Sequence, residues 1–398
     1  MDKGVTLPRG FLAGVGKARI KGDREDVALI YSQTPATAAG VFTRNLVRSA
    51  PVELTATHLG CRDGSLRAVV ANSGNANACN GREGMAAARR MAGVAAAALG
   101  LAEEEVAVAS TGVVGMPFPI AKVEEGIAAA ALGLSREGGA AAARAIMTTD
   151  TFSKETAATF THAGRSFRLG GMAKGSGMIH PDMATMLAFL TTDACVTPGA
   201  LRATLAAAVE RTFNAITVDG DTSPNDTVLI LANGGGGGEE IDLGSPGLDQ
   251  FAAALEDVCR DLARQIARDG EGATCLLEVR VEGTADEAGA RRIARTVARS
   301  PLVKAAVHGR DPNWGRILVA AGYAGVPFDP AQTDVFIGAV PVARGGLALP
   351  FDEAAASREL AVPEVRLRLV VGGGGGAATA WGCDLSAEYV RINADYRS

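Results

Sequence analysis

Apolar and polar positions follow two different periods along this chain. Residues 83–98 and 199–212 combine alanine with a one-sided apolar stripe, the period of a helix. Over 246–268, Leu248, Phe251, Leu255, Leu262 and Ile266 recur at the same spacing. Residues 284–298 open on acidic side chains, which suits the positive end of a helix. Between these stretches lie short runs with strand character: Val27–Tyr31, Ala68–Ala71, Val106–Ala109, Met186–Thr191, Val228–Leu231, Leu276–Val281, Ile317–Ala320 and Val365–Val371. Helices and strands are mixed along the whole length, so the pattern predicts a layered α/β fold. No repeat period and no proline-rich linker divides the chain, so composition sets no domain boundary.

Composition narrows the function classes. Of 398 residues, 47% are hydrophobic and 21% charged, which is globular rather than disordered. The net charge of −5, with both signs interspersed, argues against a nucleic-acid or polybasic membrane partner. No apolar run reaches the ~18 residues needed to span a bilayer. Met1–Pro8 has no apolar signal core, so a cytoplasmic enzyme is expected. The six cysteines (Cys61, Cys79, Cys195, Cys259, Cys275, Cys383) form no C-x-x-C pair and are expected as reduced, mostly buried thiols. His58, His162, His180 and His308 are equally scattered, so no metal site is expected. Gly234–Gly238 and Gly372–Gly376 follow strand-like runs without the Gly-Lys-Ser/Thr of a phosphate loop and are expected to be flexible surface turns.

The stretch that carries chemistry is Gly171-Met172-Ala173-Lys174-Gly175-Ser176-Gly177-Met178-Ile179-His180-Pro181-Asp182-Met183-Ala184-Thr185-Met186-Leu187. It reads as a glycine-rich turn, a rigid proline element, a small residue followed by threonine, and an apolar strand. This run resembles the signature of the ornithine acetyltransferase, or glutamate N-acetyltransferase, family. The resemblance extends through Gly40–Asn45, Asn72–Ala78, Ala109–Gly115, Asn214–Ser223, Gly270–Thr274, Asp311–Arg316, Trp381–Leu385 and the terminus Tyr389–Ser398, in family order.

The resemblance implies an α/β sandwich of two intertwined halves, of the N-terminal-threonine nucleophile type. It implies self-cleavage between Ala184 and Thr185, leaving residues 1–184 and 185–398 as associated subunits of a heterotetramer. Thr185 would then carry acetyl from N-acetylornithine to glutamate. The Thr111 hydroxyl and Gly112 N–H would form the oxyanion hole, and Thr151, Lys174, Thr185, Glu271, Asn393 and Ser398 would line the substrate site. No cofactor is implied, although acetyl-coenzyme A is a possible second acetyl donor.

Physical chemistry supports such a role for threonine. A hydroxyl is a poor nucleophile without a base beside it. Cleavage would give Thr185 its own α-amino group, whose pKa of about 7.7–8.0 lies near working pH. One residue would then supply nucleophile and base, and no Ser-His-Asp set is required. Lys174 suits a substrate carboxylate. Glu271 would meet the ornithine ammonium or orient the Thr185 amine; both roles stay open. The apolar and aromatic residues Tyr389, Val390, Ile392 and Tyr396 suggest a terminus that packs and brings Asn393 and Ser398 to the site.

Each feature has an ordinary reading too. Taken alone, Thr185 is a β-branched residue opening a buried strand, Ser110–Gly112 a strand-to-helix turn, and Lys174 a surface lysine. The other matched blocks weigh against those readings. Two other functions share the residues: an N-terminal-nucleophile amidohydrolase or aminopeptidase giving the acyl group to water, and an unprocessed, non-catalytic binding protein. Cys275, Asp182, Pro224 and Ala305 depart from the family pattern, Cys275 standing where lysine is usual.

Overall fold

The computed structural model describes residues 4–61, 64–180 and 186–395. Its strands are β1 (Phe11–Gly16), β2 (Val27–Phe42), β3 (Ser65–Asn75), β4 (Val106–Val113), β5 (Lys154–His162), β6 (Arg165–Lys174), β7 (Leu187–Thr192), β8 (Thr227–Ala232), β9 (Leu276–Thr284), β10 (Asp334–Ile337), β11 (Val340–Arg344), β12 (Leu347–Ala348), β13 (Glu364–Val370) and β14 (Gly376–Cys383). Its helices are α1 (Ala50–Cys61), α2 (Gly81–Leu99), α3 (Ile120–Leu132), α4 (Gly139–Ala145), α5 (Pro198–Arg211), α6 (Gly247–Arg268), α7 (Glu287–Arg299), α8 (Pro301–Gly309), α9 (Trp314–Gly322), α10 (Glu353–Glu359) and α11 (Ala387–Ala394). Two compact units draw on the chain in alternating pieces. The first takes the residues up to Gly175, then a piece ending at Asn214, then Asp221–Leu262; the second takes Ser176–His180, Ala215–Gly220 and the chain from Ala263 on.

The first unit is built on an eight-stranded sheet in the order β4-β3-β2-β8-β7-β6-β5, with β1 attached to β2. The pairs β3–β4 and β7–β8 are parallel, and β2–β8 and β6–β7 are antiparallel. Both faces are covered. On β3, Ala68 and Val70 pack with Leu54, Met91 and Ile127 of α1, α2 and α3. Val69 and Ala71 face the opposite core, with Ala142 and Ala143 of α4 and Phe189 of β7. Successive strand side chains point to opposite faces, so a sheet covered twice needs unbroken apolar runs. That is why Ala68–Ala71 and Val106–Ala109 stand out in the sequence.

The second unit holds a six-stranded sheet in the order β12-β11-β10-β13-β9-β14. Val279 and Val281 of β9 and Leu367 and Leu369 of β13 pack with Ile293 and Val297 of α7 in one core. The intervening residues are charged and partly exposed, with Arg264 bonded to Glu278 and Arg368 to Glu282. One covered face and one charged face give the period of two seen along β13. Local signals start the helices: the Thr197 hydroxyl caps α5 at Ala200 with Pro198 next, and Asp286 caps α7 at Gly289.

The layered α/β class holds in both units, but several local expectations change. Ile317–Ala320 lies in helix α9, not a strand. Ile317, Ala320 and Ala321 are buried while Val319 is exposed, a three-and-four spacing too short to stand out from a strand run. Gly171–Lys174 is the end of β6, not a turn. Its glycines serve close packing, since a Cβ on Gly170 would fall on the Gly4 carbonyl oxygen and one on Gly171 would come within 2.7 Å of Leu190. Gly374 and Gly376 are likewise packed against the backbone of Thr284 and Asp286, so that run is not simply a flexible surface turn. Cys259, Cys275 and Cys383 are buried, but Cys61 and Cys79 are exposed.

Candidate functional site

In the first unit the site residues gather at the ends of β4 and β6. Thr111 and Gly112 close β4, where the parallel ladder to β3 pairs Ser73 with Thr111 and Gly74 with Gly112 before its register shifts. Gly112 has φ +128°, and a Cβ there would fall on the Gly74 carbonyl carbon and 2.6 Å from the Asn75 nitrogen. No other residue type fits that backbone without displacing β3. Lys174 ends β6. Its Nζ donates to Thr111 Oγ1 over 3.0 Å, and the lysine is only 6% exposed. A buried ammonium is costly unless held by oxygen acceptors or anions.

Asp150 supplies the negative charge. Its Oδ1 accepts from Lys154 Nζ at 2.7 Å and from the Gly175 amide at 2.7 Å, and its Oδ2 accepts from the Thr148 amide at 2.9 Å. Burial pushes its pKa up, but the Lys154 and Lys174 ammoniums and the hydrogen bonds outweigh this and hold it at about 2. Lys21 feels the same cluster; burial and Arg24 lower its pKa to about 8 while its Nζ donates to the Ala145 and Met147 carbonyls. Thr151 is exposed and directly follows Asp150. Asp150 is thus flanked by Lys154 and Lys174, while Lys21 also feels Arg24 and Asp26, and Asp226 feels Lys174.

The loop before β8 joins this region. Asn225 Nδ2 donates to the carbonyls of Ser110 at 2.8 Å and Ala76 at 2.6 Å. Asp226 Oδ1 accepts from the Met186 amide at 2.8 Å.

In the second unit Glu271 is buried, and its amide donates to the Ser176 carbonyl over 3.1 Å. A Cβ on Gly177 would fall on the Glu271 carboxyl, so the Ser176-Gly177 backbone and this carboxylate are in close contact. Asn393 Nδ2 donates to Glu271 Oε2 at 2.7 Å. The loop carrying Glu271 is held by Asp384, which accepts from the Thr274 amide and hydroxyl, the Cys275 amide and His308 Nδ1. Burial, with Asp384 beside it, pushes the Cys275 thiol up to about 12. Asp219 accepts from the Met178 and Ile179 amides and holds the chain that leads to His180.

The structure thus brings Thr111 and Gly112 together with Lys174, and Glu271 together with Asn393. Ala184, Thr185 and Ser398 lie outside the described residues. Helix α11 buries none of its side chains, and Val390 is 65% exposed. Among the described residues of the terminus, Tyr389 and Ile392 are partly buried, and polar bonds run from Asn393 to Glu271 and from Ser386 Oγ to the Gly272 carbonyl at 2.6 Å.

The family model that matches this chain is that of the ArgJ family, over residues 12–398. The chain belongs to the ArgJ family. The arginine biosynthesis bifunctional protein ArgJ of Symbiobacterium thermophilum is 55% identical over 398 residues, covering 99% of this chain and 98% of that protein. The protein of the same name from Gloeobacter violaceus is 50% identical over 399 residues, covering 100% and 98%. Among solved structures, the arginine biosynthesis bifunctional protein argJ of Bacillus halodurans matches with a TM-score of 0.52 and 44% identity, covering 53% of this chain and 99% of that chain. Four residues with structural roles in this ArgJ-family chain escape a reading of sequence: Asp150, Asn225 and Asp226 in the first unit and Asp384 in the second. Each makes at least one bond to a backbone group far along the chain, and no spacing in the sequence encodes such a bond.

Proposed function

We propose that this chain performs acetyl transfer in arginine biosynthesis through Thr185, after the chain is cut between Ala184 and Thr185. Cleavage begins when Thr185 Oγ attacks the Ala184 carbonyl carbon. The Ala184–Thr185 C–N bond breaks, the amine takes the proton, and water hydrolyses the resulting ester. In turnover, Thr185 Oγ attacks the acetyl carbon of N-acetylornithine while its proton passes to the Thr185 amine. The amide C–N bond breaks, the proton leaves with ornithine, and acetyl remains as an ester on Thr185. The glutamate amine then attacks that ester, giving N-acetylglutamate and restoring the hydroxyl.

The observation that carries this reading is the buried Lys174–Thr111 pair beside Gly112 at the end of a rigid parallel ladder. Both steps pass through a tetrahedral oxyanion, and a preorganised hydroxyl and backbone N–H are the donors such an intermediate needs. Lys174 and the ammoniums around Asp150 suit the α-carboxylate that glutamate and N-acetylornithine share, and Glu271 suits a cationic amine. The bifunctional naming of the relatives supports acetyl-coenzyme A as a second donor to glutamate. The same reading takes the enzyme as cytoplasmic and heterotetrameric.

Intact-mass measurement and N-terminal sequencing test it. Two fragments, the second beginning Thr185-Met186-Leu187, are expected from the wild type, and one uncut, inactive chain from Thr185→Ala. Acetylglutamate should form in step with ornithine. Turnover by Thr185→Ala, or acetate as the main product, would reject the assignment.

A further inference from the structure

We infer that the dipeptide Asn225-Asp226 is a positioning element that fixes Met186, the residue after the nucleophile, against the end of the strand bearing the oxyanion hole. The inference rests on the reading of Thr185 as nucleophile and of Thr111 and Gly112 as oxyanion donors. Asn225 Nδ2 donates to the Ser110 carbonyl at 2.8 Å, and Ser110 is bonded directly to Thr111. Asp226 Oδ1 accepts from the Met186 amide at 2.8 Å, and Met186 is bonded directly to Thr185. Two adjacent side chains therefore tie the residue before one catalytic group to the residue after the other.

The backbone around the dipeptide is fixed as well. The Asp226 carbonyl accepts from the Thr43 amide at 3.0 Å, the Asn225 carbonyl accepts from Thr227 Oγ1 at 3.0 Å, and Asn225 Nδ2 also reaches the Ala76 carbonyl. Immediately after it, Thr227 pairs with Phe42 of β2 and Leu187 of β7. The dipeptide thus stands where β7 and β8 enter the sheet and β2 leaves it.

Stability alone does not account for these residues. Asn225 is 5% and Asp226 1% exposed, and among the described residues Asn225 Oδ1 and Asp226 Oδ2 are buried without a hydrogen-bond partner. Each such oxygen costs about 1–3 kcal/mol. Burial drives the Asp226 carboxyl well above the usual carboxylate range, against the lowering pull of the Met186 and Ser223 backbone bonds and the Lys174 charge. Two polar groups kept at that cost, and aimed at the neighbours of two reacting groups, point to geometry under functional constraint.

The test compares Asn225→Ala, Asp226→Ala and Asp226→Asn with wild type and Thr185→Ala. The readouts are the cleaved fraction by intact mass, the melting temperature, and kcat and KM per cleaved chain. A misplacement of about 1 Å costs on the order of 10²-fold in rate. Both alanine variants should therefore lose ~10²-fold in kcat and cleave slowly, with KM for glutamate within about threefold of wild type. Asp226→Asn, which can keep an oxygen toward Met186, should retain kcat and cleavage to within about tenfold of wild type, as a conservative rescue of Asp226→Ala. Wild-type kcat in folded alanine variants, or a loss confined to KM, overturns the inference. If the alanine variants do not fold, Asn225→Leu, of similar shape but without the donors to Ser110 and Ala76, decides: unchanged kcat and cleavage overturn it. Turnover by Thr185→Ala instead overturns the nucleophile reading itself, so the two failures are separable.

Discussion

Lys174 Nζ donates to Thr111 Oγ1 across 3.0 Å, and both side chains are buried. An ammonium has donors only, so the threonine oxygen must accept and its own proton is left to point elsewhere. The bond thus orients Thr111 as a donor, which is what a developing oxyanion requires. Lys174→Met should lower kcat/KM for glutamate by ~10²-fold or more, and Thr111→Val should lower kcat by ~10²–10³-fold, the usual cost of one oxyanion donor. Lys174→Arg should rescue little, because a planar guanidinium does not replace a buried point charge. Steady-state kinetics on cleaved protein decide this; a Lys174→Met enzyme with both constants within threefold of wild type would remove the pair from the site.

Legibility in the sequence followed burial. Strands covered on both faces, such as β4 and β8, announce themselves as apolar runs, and the amphipathic α6 and α7 by their stripes. Helix α9 looks like a strand in the sequence because its stripe is short and rich in residues that also suit strands. The glycines of Gly171–Lys174 look like a turn because sequence shows conformational freedom but not the close approach of Gly4 and Leu190. Motif resemblance singled out Thr111, Gly112, Lys174, Glu271 and Asn393, but not their joining. The bonds from Lys174 to Thr111 and from Asn393 to Glu271 bridge long separations, which only the folded backbone sets.

His180 carries a pH dependence. Its Nε2 lies 3.2 Å from Arg295 Nη2, and its Nδ1 lies 3.0 Å from Thr217 Oγ1. Arginine can only donate, so Nε2 accepts, the ring is neutral and its proton sits on Nδ1. Burial, then the Arg295 and Arg299 charges, lower its pKa from 6.5 to about 3. The unfolded chain therefore takes up this proton below about pH 6.5 while the folded chain resists until about 3. Stability from the neutral ring is present above pH 6.5 and is lost as pH falls through this window, by at most ~1.4 kcal/mol per unit. Asp150, with its pKa depressed to about 2, adds its own loss only below about pH 4. Unfolding midpoints at pH 7, 6, 5 and 4 should fall more steeply in wild type than in His180→Gln; parallel curves would exclude His180 as the source.

The sheet of the first unit makes a further prediction about the cut chain. Cleavage between Ala184 and Thr185 would place β1–β6 on one fragment and β7 and β8 on the other. In the sheet order, β8 and β7 lie between β2 and β6. The second fragment is thus paired to the first along both edges, Thr37–Phe42 with Thr227–Ala232 and Leu169–Lys174 with Leu187–Thr192. Pulling the fragments apart would expose two ladders of backbone groups and the apolar faces of Phe189, Leu229 and Leu231. Cleaved protein should therefore run as one particle on size exclusion in native buffer, and its fragments should part only in denaturant. Central ladders of this kind should also protect amides of β7 and β8 against hydrogen exchange as strongly after cleavage as before. Separation of the fragments in native buffer, or loss of that protection on cleavage, would show that the two strands do not hold the halves together.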